Sequence, residues 1–348
     1  MSGTLIVDVN KIMRNINSIK EQTGAKFCAV VKANAYGVGI ELARYISDCV
    51  DYFAVSCVDE ANKLATLTTK PILILSPPDI CEIKNIKFDS IEFAVDNVEI
   101  INWLSTQNIN FKIHVAVNTG MNRFGANFND FLTIIENVAK SDNIDMRGVF
   151  SHFFDCSKKH MKKQYELATK FFTVVRKNFT NILCHISNSA GIFYHEDMVR
   201  IGIGLYSANN FDSLSLVSRI KEIRTINLGD SVSYNANYVA SDKRQIAVIP
   251  LGYADGIDRR LSGYEVYIKN RFCKIVGDVC MDCFMVDITE VDASVSEQVT
   301  IFGKCQNSVC NLAKHCDTIC YEILTRMSDR IERKYQCKLS LENSEGES

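Results

Sequence analysis

Short apolar runs recur at fairly regular intervals over the first 205 residues, and stretches with helical periodicity separate them. We predict that each run is a β-strand, at 27–31, 52–55, 71–75, 91–95, 111–117, 146–150, 182–186 and 199–205. Two of the intervening stretches place apolar residues on one helix face, at Ile12, Met13, Ile16 and Ile19, and at Phe131, Ile134, Ile135 and Val138. Eight alternating strand and helix units are typical of a parallel barrel, so the predicted fold class is α/β with an N-terminal (β/α)8 TIM-like barrel.

The pattern changes after residue 220, where short polar turns separate the apolar runs. We predict a short helix near 318–329 and strands at 231–241, 244–254, 264–268, 272–276, 284–288 and 298–302. Consecutive strands without an intervening helix indicate a mainly antiparallel β domain. The predicted domains are a barrel at 1–220, whose first few residues are candidates to join the second domain, a mainly β C-terminal domain at 221–340, and a polar, disordered tail at 341–348.

Composition and charge argue against several classes of protein. The 348 residues are 47% hydrophobic, and 39 basic residues nearly balance 41 acidic ones, for a formal charge of -2. No basic surface for nucleic acid or an anionic membrane is indicated, so the expected partners are a small molecule and a second copy of the chain. The N-terminal stretch lacks the apolar core of a signal peptide, and no apolar run approaches a membrane span, which predicts a cytoplasmic protein.

The 14 cysteines are predicted to be free thiols, because their density is well below that of disulfide-stapled secreted domains. Cys280 and Cys283 have the spacing of one half of a structural zinc site. The sequence offers no second short-spaced pair, and both residues fall in what reads as a strand, so we predict no metal site.

Candidate polar residues cluster where the predicted barrel strands end, which is where barrel active sites are built. Lys32 follows the first run, and desolvation there would favour a neutral amine suited to Schiff-base chemistry, although a solvated lysine is the alternative. The Gly202 turn and the hydroxyl of Ser189, at the start of a predicted helix, suit a phosphate, with a packing glycine and a helix cap as the alternatives. Further candidates at this end are Arg123 after the fifth run, His152 after the sixth, His185 and Asn188 at or after the seventh, and Arg200 in the eighth.

Several segments carry a resemblance to a known family. Residues 28–39, CAVVKANAYGVG, closely resemble the pyridoxal phosphate (PLP) lysine motif of bacterial alanine racemases, VVKANAYGHG, with Val38 in place of histidine. The segment VSYNANYVA resembles the family's VSYGATY, with Asn235 in place of glycine, and further similar segments extend the resemblance from about residue 5 to residue 335. The chain is identified by this resemblance as a member of the PLP-dependent alanine racemases.

The resemblance implies a PLP site in the barrel. Lys32 would bind the cofactor, and Arg200 would contact the pyridine nitrogen. A guanidinium gives up its proton with difficulty, so this nitrogen would stay unprotonated and the ring would be a weaker electron sink. That weakness favours prompt reprotonation of Cα and therefore racemisation. The other implied cofactor-binding residues are Tyr36, His152, Asn188, Ser189, Gly202, Ile203 and Tyr321.

Inversion of a stereocentre requires an acid-base group on each face, and the resemblance assigns Tyr234 to the face opposite Lys32. A tyrosine with a reference pKa of about 10 needs help to act near neutrality, and His152 and Arg200 match the family's supporting residues. Substrate binding is implied for Arg123, the backbone of Met281, Tyr253 at the site entrance and the neighbouring Asp282. The family also implies a homodimer with shared sites and a role in supplying D-alanine for peptidoglycan.

The sequence departs from the family at a lysine that is often carbamylated and that orients the substrate arginine. Ala116 takes the place of that lysine and Asn118 that of a nearby aspartate, so we predict that an anion such as chloride, a water network or Asn118 supports Arg123. Three other functions compete with alanine racemisation. A non-catalytic PLP carrier would lack the β domain, a PLP decarboxylase would have an acidic residue at Arg200, and a serine or broad-specificity racemase differs only in its pocket.

Overall fold

The computed structural model describes residues 3–303 and 307–337, so the tail predicted at 341–348 lies outside the described residues. The chain forms two compact units. The barrel unit comprises Asn15–Ala35 and Ile40–Leu205, and the β unit comprises Met1–Arg14, Tyr36–Gly39 and Tyr206–Ser348. The domain boundaries given above stay a prediction.

The barrel unit is built on an 8-stranded parallel sheet, which confirms the predicted α/β barrel. Numbered after the first strand of the chain, β1 (Thr4–Asp8), its strands are β2 (Lys26–Val30), β3 (Tyr52–Val55), β4 (Ile72–Ile74), β5 (Ile91–Val95), β6 (Phe111–Ala116), β7 (Ile144–Phe150), β8 (Leu183–His185) and β9 (Met198–Ile201). Neighbours pair in sequence order from β2 to β8, and β9 pairs with β2. Backbone bonds from Asp197 N to Cys184 O and from Arg200 N to Ser187 O join the remaining edges.

Helices alternate with the barrel strands because their apolar faces cover the outside of the sheet. Phe131, Ile134 and Val138 are buried on one helix face, as their spacing predicts, and Ile12 and Ile16 are buried on another. Asn97 and Asn127 accept backbone N–H groups at the starts of two of these helices. The helices up to residue 205 are α1 (Val9–Thr23), α2 (Leu42–Ile46), α3 (Val58–Ala65), α4 (Ile80–Ile83), α5 (Val98–Ser105), α6 (Phe128–Ala139) and α7 (Lys158–Asn178), with 3-10 turns at Ser47–Cys49, Ile192–Tyr194 and Ile203–Leu205.

Two sequence expectations near the barrel mouth are wrong. The last barrel strand does not run to residue 205 but ends at Ile201, so Gly202 lies after the strand and not in it. The backbone N–H of Gly202 bonds to the Ser189 side chain instead of continuing the sheet. Ser189 does not begin a helix, since only the 3-10 turn Ile192–Tyr194 follows it.

The β unit contains a 9-stranded sheet in the order β11-β14-β17-β16-β15-β18-β10-β1-β19 and a 2-stranded sheet β12-β13. Its strands after residue 205 are β10 (Leu214–Arg219), β11 (Glu222–Ile226), β12 (Ser231–Val232), β13 (Tyr238–Val239), β14 (Arg244–Ile249), β15 (Glu265–Ile268), β16 (Arg271–Val276), β17 (Phe284–Asp287), β18 (Gln298–Phe302) and β19 (Glu332–Gln336). β1 lies between β10, with which it is antiparallel, and β19, with which it is parallel. The mainly β C-terminal domain is thereby confirmed.

Several details of the β unit differ from the sequence expectations. The run at 231–241 is a hairpin whose two strands are separated by residues 233–237, and Pro250 follows the end of β14, so the run at 244–254 is shorter than predicted. Cys280 and Cys283 lie in the connection between β16 and β17 and not in a strand. The helix predicted near 318–329 is shorter, and the helical segments of this unit after residue 205 are α8 (Val309–His315), α9 (Cys320–Thr325) and 3-10 turns at Ala208–Phe211, Tyr234–Ala236, Tyr253–Asp255 and Arg259–Leu261.

No helix in the described part of the chain is both long and apolar enough to span a bilayer.

Strand β1 should be essential to the β unit, because it pairs with strands on both sides. Leu5 on this strand is fully buried, so Leu5→Ala should lower the free energy of unfolding by about 2–5 kcal/mol. Thr4→Ala is the matched control, since the substitution removes an exposed side-chain bond to Glu332 and leaves the strand pairing intact, and it should cost less than about 1 kcal/mol. Urea unfolding measures both variants, and equal losses would contradict the role of β1 in the core of the β unit.

Candidate active site

Lys32 follows strand β2 and opens a left-handed turn. Ala33, Asn34 and Ala35 have φ values of 51, 55 and 53°, a conformation that costs an L-residue roughly 1–2 kcal/mol. Ala33 N donates to Glu60 Oε1 at 2.7 Å, and Ile40 N donates to Asn34 Oδ1 at 2.8 Å. These bonds stabilise the strained turn and thereby fix the backbone from which the Lys32 side chain extends.

Lys32 is half-buried, and burial is the main cause that lowers its pKa. The Arg123 guanidinium lowers this pKa further, whereas the Glu60 carboxylate opposes the change. The environment therefore favours a neutral amine, which is the form that attacks a carbonyl carbon.

Arg123 lies in the loop between β6 and α6. Asn118 orders this loop, because its Oδ1 accepts the backbone N–H of Gly120 at 2.9 Å and of Asn122 at 3.2 Å, while its amide donates to Asn122 Oδ1 at 2.8 Å. Ala116 packs in an apolar cluster with Ala94, Phe150 and Leu75. The structure thus gives Asn118 a role in loop geometry, and support of Arg123 by an anion or by water stays a prediction.

Arg200 on β9 is a buried cation, with 3% of its surface exposed. Its guanidinium donates to Ser151 O at 2.6 Å and to His185 Nδ1, and it lies over the Phe150 ring with Cζ 5.2 Å from the centroid. No carboxylate of the described residues pairs with it. Burial lowers the pKa of Arg200 to about 10, so it remains charged near neutrality.

A chain of buried hydrogen bonds continues from Arg200 through the barrel interior. His185 Nε2 lies 3.0 Å from His114 Nδ1, and His114 Nε2 lies 2.8 Å from Glu92 Oε2. Because the guanidinium can only donate, His185 accepts at Nδ1 and donates from Nε2, and His114 in turn donates to Glu92. We infer these tautomers from the donor capacity of Arg200. Glu92 and His114 were not predicted as site residues. Each lies inside an apolar run of the sequence, and a polar or charged residue at such a position could have indicated them.

His152 follows strand β7 and is only partly exposed. Burial lowers its pKa to about 3, with further lowering by the cations Arg200, Arg123 and Lys32. The imidazole is therefore neutral over the physiological range, and it acts as a hydrogen-bonding group and not as a cation.

A cluster of backbone N–H groups and a hydroxyl lies beyond the ends of β8 and β9. Ser189 Oγ accepts the N–H of Gly202 at 3.2 Å and of Gly204 at 3.1 Å. Ile203, which lies between these two glycines, begins the 3-10 turn Ile203–Leu205. Asn188 orders the adjoining turn, since its Oδ1 accepts the N–H of Gly191 at 3.1 Å. Convergent donors of this kind suit an anionic group such as a phosphate.

The β unit holds the remaining candidates in two groups. Tyr36 is almost fully buried, and its ring centroid lies 6.0 Å from that of Tyr321. Burial raises the pKa of Tyr36, so its hydroxyl is a neutral donor. Gly37 has φ 78°, and a Cβ there would overlap Leu324 O, so only glycine permits this segment to pack on α9.

The second group surrounds the connection between β16 and β17. Met281 O accepts the N–H of Ala254 at 3.0 Å, and Cys280 O accepts that of Tyr253 at 3.1 Å, which places Tyr253 beside Met281. Asp282 accepts a bond from Arg330 at 2.8 Å. Tyr234 lies in the β12-β13 hairpin, and 62% of its surface is exposed.

In the described residues, no group of three or more His, Cys, Asp or Glu side chains is arranged to hold a metal ion.

The fold and site define an α/β-barrel enzyme built around a half-buried lysine and a buried arginine, with a mainly β unit in the same chain. The family descriptions "Alanine racemase, N-terminal domain" and "Alanine racemase, C-terminal domain" match residues 7–210 and 213–335. The chain belongs to the alanine racemase family, an isomerase family.

Individual relatives support this assignment. The chain is 33% identical to an alanine racemase of Vesicomyosocius okutanii, over 95% of this chain and 98% of the relative. It is 31% identical to an alanine racemase of Lactococcus lactis subsp. lactis, over 95% of this chain and 97% of the relative. An alanine racemase structure from Clostridium difficile 630 matches with a TM-score of 0.88 and 31% identity, over 97% of this chain and 96% of that chain.

The low pKa of His152 predicts a pH dependence of stability. Below pH 6.5 a histidine of the unfolded chain binds a proton that the folded chain excludes from His152, so the folded state loses stability as the pH falls. Between pH 7 and pH 5 this loss amounts to about 2 kcal/mol. His152→Gln should remove it, as measured by urea unfolding at both pH values. The exposed His195→Gln is the control and should leave the pH dependence as in the parent chain, and an unchanged pH dependence in His152→Gln would contradict the prediction.

Proposed function

We propose that this chain is a PLP-dependent racemase that interconverts L-alanine and D-alanine and supplies D-alanine for peptidoglycan. The observation that carries the proposal is the presence, at the mouth of one barrel, of the half-buried Lys32 and the buried guanidinium of Arg200. Family membership supports the reaction, since the named relatives are alanine racemases.

The residues of the barrel unit fit PLP. Burial lowers the pKa of Lys32 and so favours the neutral amine that the cofactor's aldehyde requires, and Ser189, Gly202 and Ile203 lie in the cluster of donors suited to its phosphate. Asn188 orders the turn beside that cluster, and we assign the phenol groups of Tyr36 and Tyr321 to the phosphate as well. When bound, PLP delocalises the negative charge that remains at Cα after a proton is removed.

Arg200 determines how strong that delocalisation is. A buried guanidinium whose pKa is about 10 keeps its proton and offers only donors, so it would leave a pyridine nitrogen held against it unprotonated. The buried bonds to His185 and Ser151 hold the guanidinium in place. By keeping that nitrogen unprotonated, Arg200 would shorten the life of the charge at Cα and would favour prompt return of a proton over competing reactions.

Two groups exchange the proton on opposite faces of Cα. Lys32 serves one face, and we assign the other face to Tyr234, whose exposed side chain lies in the β12-β13 hairpin. Because the neutral His152 adds no positive charge, we assign it a hydrogen-bonding role toward the tyrosine. Arg200 adds a fixed positive charge to the barrel site.

The substrate carboxylate is assigned to Arg123 and to the backbone N–H of Met281. Arg123 offers a planar set of donors that matches a carboxylate. Tyr253 and Asp282 flank Met281, where we assign them to the entrance of the site. We further propose a homodimer in which the exposed Tyr234 and Met281 of one copy complete the barrel site of the other.

A chiral product assay tests the reaction and the substrate together. The purified, PLP-loaded protein should convert L-alanine to D-alanine rapidly and L-serine to D-serine slowly under the same conditions. Lys32→Ala is the control and should form neither product. Comparable D-serine formation would move the chain to the broad-specificity racemases, and no inversion of either amino acid would overturn the proposed function.

Tyr234→Phe tests the assignment of the second face. Racemisation should fall by about 10²- to 10⁴-fold in kcat/KM, equally in both directions because two enantiomers have an equilibrium constant of one. In D2O, the enantiomer whose α-hydrogen faces Lys32 should still exchange that hydrogen for deuterium without inversion. The α-hydrogen of the other enantiomer should not exchange. Tyr267→Phe in the same unit is the control and should behave as the parent chain. Persistent inversion at the parent rate in Tyr234→Phe would show that another group serves this face.

A further inference from the structure

The hairpin that bears Tyr234 has little structure of its own. Strands β12 and β13 pair only at Ser231↔Val239 and Val232↔Tyr238. A two-stranded hairpin of this length is at best marginally stable in water. Interactions from outside the hairpin must therefore fix the loop at 233–237.

The loop also has an unfavourable backbone. Ser233, Asn235 and Ala236 have φ values of 68, 60 and 50°, in the region that L-residues rarely adopt. Asparagine tolerates this region, whereas serine and alanine do so at a cost. A loop with such a backbone keeps one conformation only where its surroundings compensate for the strain.

Asp278 contacts the loop on both sides of Tyr234. Its carboxylate accepts from the Asn237 amide at 2.9 and 3.0 Å and from the Asn235 amide at 3.3 Å. Its backbone carbonyl accepts the Ser233 hydroxyl at 2.6 Å. Asp278 thus binds three residues of the loop: Ser233, which precedes Tyr234, Asn235, which follows it, and Asn237.

The surroundings allow this approach and favour a charged carboxylate. Gly277 has φ 69°, and a Cβ there would lie 2.6 Å from Val232 O, so glycine permits the two backbones to meet. The Arg259 guanidinium lies 3.6 Å from the Asp278 carboxylate, whose side chain is 17% exposed. The bond from Asn237 is the main cause that lowers the pKa of Asp278, so the carboxylate is ionised near neutrality.

We propose that Asp278 is a positioning residue for Tyr234: its carboxylate, bound to Asn235 and Asn237, and its carbonyl, bound to Ser233, hold the phenol where it exchanges a proton with the substrate. This proposal rests on the proposed function only for the proton exchange. The hold on the loop follows from the contacts alone. Asp278 does not touch the reacting atoms, and it acts through the backbone of the loop.

The kinetic test compares Asp278→Ala with the matched control Asp242→Ala. Asp242 is an exposed residue just beyond the same hairpin, and it also pairs with an arginine, Arg244. Asp278→Ala should lower kcat for racemisation by about 10- to 100-fold, since small misplacements of a reacting group have effects of this size. PLP affinity and solvent exchange of the enantiomer served by Lys32 should stay within about twofold, because those steps do not use Tyr234. A parallel loss of all these quantities, or parent-like kcat, would overturn the positioning role.

A double-mutant cycle tests the bonds themselves. Asn237→Ala removes the donor of the two shortest bonds to the carboxylate, and it should lower kcat in the same direction as Asp278→Ala. The double variant Asp278→Ala/Asn237→Ala should be no slower than Asp278→Ala alone, because the interaction is already lost. Fully additive losses would show that the two residues act independently and would overturn the proposal.

Hydrogen–deuterium exchange of the peptide 231–239 provides a readout that is independent of activity. In Asp278→Ala this peptide should exchange at least about tenfold faster than in the parent chain, and in Asp242→Ala it should be unchanged. If the parent chain fails to racemise alanine, the proposed function fails while faster exchange still supports the hold on the loop. Unchanged exchange in Asp278→Ala would overturn that hold whatever the activity.

Discussion

The burial of the Arg200 guanidinium is the constraint on which the barrel site depends. A cation with 3% exposure and no carboxylate partner among the described residues must be stabilised by neutral acceptors, and Ser151 O and His185 Nδ1 provide them. His185 in turn bonds to His114, and His114 bonds to Glu92. Residues on four barrel strands therefore form one hydrogen-bond network that begins at this single charge. The same positive charge contributes to holding His152 neutral. A single buried cation thus sets both the hydrogen-bonding pattern of the barrel interior and the protonation of a neighbouring side chain.

The barrel was predictable because each of its strands is an apolar run of ordinary length and each covering helix has a regular apolar face. The runs at 52–55 and 91–95 match the observed strands residue for residue. Strand ends were less predictable, as at Gly202, where a bond to a distant serine competes with the sheet. The link from His114 to Glu92 was also missed, because it joins residues 22 positions apart whose proximity only the closed sheet creates.

In the β unit, β17 and β18 were predicted, and both carry buried residues. Burial alone was not enough, since β1 and β10 also have a buried face and were not predicted. Strands β11 and β19 were missed because they are short, largely polar and at the edges of the sheet, where pairing and not burial defines them. The Tyr234 hairpin was predicted as one continuous strand, since its alternation of residue types resembles a strand and the left-handed residues are serine, asparagine and alanine instead of glycine. For the site, the sequence indicated which residues to consider, and the contacts of Glu60, Glu92 and Asp278 became evident only in three dimensions.

The left-handed turn after Lys32 has a consequence for the synthesis of the chain. Its last residue, Tyr36, begins the short segment Tyr36–Gly39, which is fixed by residues close to the other end of the described chain: Arg333 donates to Gly37 O at 3.0 Å, and the Tyr335 hydroxyl donates to Val38 O at 3.1 Å. A ribosome makes the lysine about three hundred residues before it makes these partners, at roughly 5–20 residues per second. The segment next to the lysine therefore waits many seconds for its final contacts. A nascent chain that stops short of them holds every barrel strand yet lacks a finished lysine turn.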